Sequence, residues 1–69
     1  MYTAIVRSTS VNKLIAIENC LADLDFLNIE RENWDSRSKR HLVVRGIDLS
    51  DMTFMQDVAI EFRVTIEMH

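Results

Sequence analysis

Residues Asp48 to Met68, DLSDMTFMQDVAIEFRVTIEM, decide the fold, because they admit two readings with different consequences. Met52, Met55, Val58, Ala59 and Phe62 recur at three and four, the spacing that gathers them on one helical stripe, with Asp48 or Ser50 available as the cap. Val58, Ile60, Phe62, Val64, Ile66 and Met68 also alternate, which suits one long strand. The helical reading is preferred. A strand from Val58 would leave Asp48 to Asp57 as an irregular loop carrying large apolar side chains into water. A helix over Met52 to Phe62 then ends at Arg63, in a position where Gly is favoured, and RVTIEMH becomes a final strand.

Upstream, HLVVRGI (His41 to Ile47) is apolar on both faces, with Leu42 and Val44 opposed by Val43 and Ile47, and reads as a central strand. LNIEREN (Leu27 to Asn33) alternates apolar with polar, as an edge strand with one wet face does. From Val11 to Asp25 the residues Val11, Leu14, Ile17, Leu21 and Leu24 keep a helical period, and Ser8, Thr9 or Ser10 can accept that helix's first free amides. YTAIVRS (Tyr2 to Ser8) opens the chain as a β-rich strand with Ala4 and Val6 against Ile5.

The resulting order is β-α-β-β-α-β. It implies an α+β fold, the ferredoxin-like split βαβ sandwich, with a four-stranded antiparallel sheet in spatial order 4-1-3-2 and two helices on one face. Strands one and three, apolar on both faces, fall in the centre of that order, and the alternating strands fall at its edges. No Pro or Gly-rich linker, repeat or low-complexity stretch divides the chain, so residues 1-69 are expected to form a single compact domain.

Composition narrows the function. The 69 residues are 48% hydrophobic and 28% charged, too apolar for a disordered chain, and no apolar run approaches the ~20 residues of a membrane-spanning helix. A chain this short buries only about 60% of the surface it exposes when unfolded, so association is expected, and a homodimer at micromolar concentration is the simplest form. The net charge of -3 offers no general attraction to phosphate backbones or anionic lipid. The single Cys20 excludes an intramolecular disulfide, and MYTAIVRSTS lacks the basic and long apolar regions of a signal peptide, so a cytoplasmic location is expected.

Chemistry-bearing patterns are sparse. Cys20 sits mid-helix beside the apolar stripe and reads as a small packing residue. His41 and His69 lack metal-ligand spacing, and Gly46 alone builds no phosphate loop. Asp23 with Asp25, and Asp48 with Asp51, read as helix-end and capping groups rather than acid/base couples. No catalytic residue, cofactor or metal is therefore expected.

Two surfaces remain as binding candidates. A two-layer fold leaves one sheet face without helices, which must carry either Ile5 and Val43 or Ala4, Val6, Leu42 and Val44. Ile5, Val43, Glu30, Glu32 and Trp34 are the expected partner-binding residues. Glu18, Asp23, Asp25, Glu30, Glu32 and Asp35 also form a candidate anionic strip able to imitate a phosphate backbone. The alternative is a nucleic-acid-binding module in which Trp34 stacks a base and Arg37, Lys39, Arg40 and Arg45 straddle phosphates, with His41 beside them. The aromatics that RNA-recognition sheets carry in their third strand are absent from KRHLVVRGI. The expected function is thus a small non-enzymatic protein that binds another protein and dimerises through the open sheet face or an edge strand. Inhibitors and regulatory subunits, including those carried by phages or mobile elements, fit such a chain.

Overall fold

A computed structural model describes residues 1–24 and 27–69. Four strands and two helices follow one another as β1 (Tyr2–Arg7), α1 (Val11–Ala22), β2 (Asn28–Glu32), β3 (His41–Ile47), α2 (Met52–Phe62) and β4 (Thr65–Met68), with a 3-10 turn (Leu49–Asp51) leading into α2. The strands form one antiparallel sheet in the order β2-β3-β1-β4, so the two strands expected in the centre are there. No helix among the described residues is long and apolar enough to cross a membrane.

Local chemistry accounts for the helix limits. Ser10 caps α1, its hydroxyl accepting from the Lys13 amide at 3.3 Å, while its own amide donates to the Ser8 hydroxyl at 3.0 Å. α1 closes at Ala22, short of the Asp25 expected from the pattern; Asp23 is its C-cap, and Asp25 lies outside the described residues. The Asp51 carboxylate accepts from the Asp48 amide at 3.2 Å, tying down the entrance to α2. Residues 58–62 are helical. Arg63 ends α2 in the left-handed region, at φ 54°, and lets the Val64 amide reach back to the Ala59 carbonyl at 3.1 Å.

Register sorts the side chains into two faces. Residues directly opposite in an antiparallel ladder share a face. Arg31, Leu42, Val6 and Ile66 form one row across all four strands, and Ile29, Val44, Ala4 and Met68 form the next. Ala4, Val6, Leu42 and Val44 from this core side join Leu14, Ile17 and Leu21 of α1 and Met55 and Val58 of α2 in one buried cluster. The outer side carries the row Glu30, Val43, Ile5, Glu67 and the row Glu32, His41, Arg7, Thr65. The face without core residues is thus the one with Ile5 and Val43.

Ile47 corrects the expected pattern of β3. Tyr2 lies opposite Ile47 and Ala4 opposite Val44, so β3 takes three steps where β1 takes two. The extra residue is a β-bulge at Gly46, whose φ of 88° any Cβ would oppose. The bulge resets the alternation and sends Ile47 into the core with Leu42 and Val44, instead of to the opposite face beside Val43.

Candidate functional site

The outer face of the sheet is a charged lattice over two aliphatic residues. Arg45 reaches Glu30 at 2.8 Å and Arg7 reaches Glu67 at 3.1 Å, each pair slanting across neighbouring strands. His41 Nε2 stands 3.8 Å from Glu32, while its Nδ1 and the Lys39 carbonyl are 2.8 Å apart. His69 Nε2 lies 3.6 Å from Glu67. Between these groups Val43 is only 5% exposed and Ile5 is half-buried. Val43, expected to offer an apolar anchor, is already covered within its own chain. Glu30 and Ile5 stand directly opposite Val43, and Glu67 stands opposite Ile5.

The structure divides the acidic strip. Glu30 and Glu32 lie on the outer side, whereas Glu18 reaches β2 from α1 and binds Arg31, a core-side residue of that strand. Arg31 Nε and Nη2 donate to the two Glu18 oxygens at 2.8 and 2.6 Å. This hydrogen bond, ahead of the opposing desolvation, holds the Glu18 carboxyl below the ordinary carboxylate range, and the Arg31 charge adds to it. The same interaction raises the Arg31 guanidinium. Asp23 and Asp35 are exposed; Asp25 lies outside the described residues.

Trp34 is engaged from two directions. Its indole N–H donates to the His41 carbonyl at 2.9 Å, and the Arg31 guanidinium lies over its ring, 4.2 Å from the centroid. The ring is half-buried against the core cluster. Glu18, Arg31 and Trp34 therefore form a clasp that joins α1, β2 and the β2–β3 connection. Among the basic residues, Arg37 and Lys39 are exposed, Arg40 is half-buried, and Arg45 is paired with Glu30. The loop is folded on itself: the Ser36 amide bonds the Asn33 carbonyl at 3.0 Å, and the Lys39 and Arg40 amides both bond the Ser36 carbonyl. Asn33 opens it at φ 56°, a left-handed position that Asn tolerates well.

Cys20 is a half-buried free thiol packed on the core cluster. Among the described residues, no three His, Cys, Asp or Glu side chains gather in a way that would hold a metal ion.

A second surface was not singled out by sequence reasoning. Met52, Met55, Gln56 and Ala59 of α2 and Ile66 and Met68 of β4 line a cavity of about 150 Å³. β4 is an edge of the sheet, so the cavity flanks an unpaired strand edge. The signals were present in the sequence: Met52, Met55 and Ala59 share the helical stripe, and Ile66 and Met68 share a strand face. Which helix lies over which strand was not. Methionine is unbranched and polarisable, and such linings adapt to varied apolar side chains.

No known protein-family model matches the chain, and no curated protein is detectably similar to it.

Proposed function

We propose that this chain is a non-enzymatic protein-interaction module, an inhibitor or regulatory subunit, built as a ferredoxin-like sandwich with both helices on one face. The element order and the sheet order β2-β3-β1-β4 support the fold assignment. The lone free thiol suits a reducing cytoplasm.

The observation that carries the function is the pairing of the free β4 edge with the methionine-lined cavity beside it. An extended segment that adds to a sheet edge gains main-chain hydrogen bonds, and a pocket at its flank reads the alternate side chains. The opposite edge, β2, is blunted by Glu30, Arg31 and Glu32, a common defence of edge strands against unwanted pairing. Glu30 and Glu32 act at a distance, through association rate and salt dependence, while apolar contacts at β4 hold the complex.

Affinity capture from the native host with the full chain, wild type and Ala59→Phe, tests this reading. Ala59→Phe fills the cavity from α2 and leaves the strand edge untouched. A protein retained by the wild type and lost with a folded Ala59→Phe chain is the expected result. Retention of nucleic acid alone, or of the same proteins by both chains, overturns it.

A further inference from the structure

The hydrogen-bonding parity of β4 specifies how its free edge is used. Thr3 and His69 exchange both backbone bonds, the His69 carbonyl accepting at 3.0 Å and the Thr3 carbonyl at 2.8 Å. Bonded and non-bonded pairs alternate along an antiparallel ladder. Thr65, Glu67 and His69 therefore turn their N–H and C=O groups toward β1, and Val64, Ile66 and Met68 turn theirs toward the free edge. The Val64 amide is already taken by the Ala59 carbonyl, so the edge offers the amides of Ile66 and Met68 and the carbonyls of Val64, Ile66 and Met68.

This set is self-complementary. We infer that β4 pairs antiparallel with β4 of a second copy of this chain, about a two-fold axis at Ile66, to make one continuous eight-stranded sheet. The inference rests on the protein-interaction reading and assigns the edge to one occupant. In this register the two Ile66 residues exchange both backbone bonds, and the Met68 amide of each copy donates to the Val64 carbonyl of the other. On the core side Ile66 meets Ile66 and Val64 meets Met68, extending the apolar lining of Ile66 and Met68 across the axis. On the outer side Thr65 stands opposite Glu67, a neutral group against a charge.

Registers displaced toward Met68 are poorer for physical reasons. An axis at Glu67 sets two carboxylates directly opposite each other in a close, non-bonded pair, where like charges destabilise. An axis at Met68 overlaps only the last residue of a strand that spans Thr65–Met68. Pairing through β2 would bring Glu30, Arg31 and Glu32 to the seam and leave the methionine-lined cavity unused.

The purified full chain tests this without any partner. Sedimentation or light scattering across a dilution series should show a mass of 8.1 kDa rising to twice that value as concentration increases. Ile66→Lys, shown folded by circular dichroism, should weaken the association on the order of tenfold or more. Register is read by cross-linking in a Cys20→Ala background. Thr65 and Glu67 of opposite copies would have Cα atoms about 4.5 Å apart, within disulfide reach. A mixture of Thr65→Cys and Glu67→Cys chains should oxidise to a mixed covalent dimer, with neither chain linking efficiently to itself. Self-linking of either Glu67→Cys alone or Thr65→Cys alone overturns the register. A wild-type chain that stays at 8.1 kDa at all concentrations overturns the second copy as occupant. If that monomer still captures a host protein through the cavity, the interaction reading stands and the edge belongs to another chain's strand.

Discussion

Gly46 is the single glycine of the chain, and its position explains why it is there. At φ 88° it forms the bulge that carries Ile47 across to the core, and a Cβ at that angle meets the backbone at a cost of about 1–2 kcal/mol. Gly46→Ala should therefore lower the unfolding free energy by at least that amount, read as a lower urea midpoint; an unchanged midpoint would show that the bulge stores no such constraint. Arg63 holds a left-handed angle without being glycine, so Arg63→Gly should move stability the other way, by about 1 kcal/mol. The two substitutions test one principle with opposite signs. Cys20 packs at the edge of the core as a half-buried free thiol. Cys20→Ala should cost about 1 kcal/mol, at the low end of core truncations, and leave partner capture intact. Loss of capture by a folded Cys20→Ala chain would give the thiol a chemical role.

Between elements, the clasp from Glu18 through Arg31 to Trp34 ties α1 to the β2 edge. The Glu18 carboxyl is depressed in the folded chain relative to the unfolded one. A depressed carboxylate contributes stability above its unfolded value, about 4.3, and that contribution disappears as pH falls through the lower folded value. The wild type should therefore lose more stability than Glu18→Gln when taken from pH 7 to about pH 3, and the two should converge at the acid end. The effect is small, because Arg31 remains half open to solvent and water screens such pairs. An equal gap between the two chains at both pH values, measured by chemical denaturation, would assign the clasp to packing of Arg31 on Trp34 alone.

At the scale of the whole molecule, charge and topology point the same way. The net charge is -3, and the basic residues nearest Trp34 are dispersed: Arg45 is paired, Arg40 is half-buried, and only Arg37 and Lys39 stand free in water at the loop. Trp34 offers no free face to a base on the side that Arg31 covers. The chain should give no mobility shift with single-stranded RNA or DNA at about 150 mM salt, because phosphate contacts release counterions and weaken steeply as salt rises. A complex that survives this salt and is lost when Arg37, Lys39 and Arg40 are replaced by Ala would instead establish the hairpin as a nucleic-acid site.

What the sequence by itself determined is everything that period and local hydrogen bonding control. The stripe at Leu14, Ile17 and Leu21 places α1, the hydroxyls of Ser8 to Ser10 mark its start, and the two-sided apolar pattern of β1 and β3 puts them at the sheet's centre, whereas over residues 58–62 the sequence fits helix and strand alike and only packing makes them helix. Tertiary structure alone decided which faces met. A bulge at Gly46 shifts every later residue of β3 to the opposite side, so counting by twos fails after it and Ile47 changes layer. Arg31 shares a strand face with Ile29, and it has a partner there only because α1 brings Glu18 beside it. Val43 looked exposed, but between Glu30 of β2 and Ile5 of β1 it is only 5% exposed. The cavity belongs to neither α2 nor β4 separately. Periodicity reports which residues of one element share a face, whereas a site between elements exists only once long-range packing has brought those faces together.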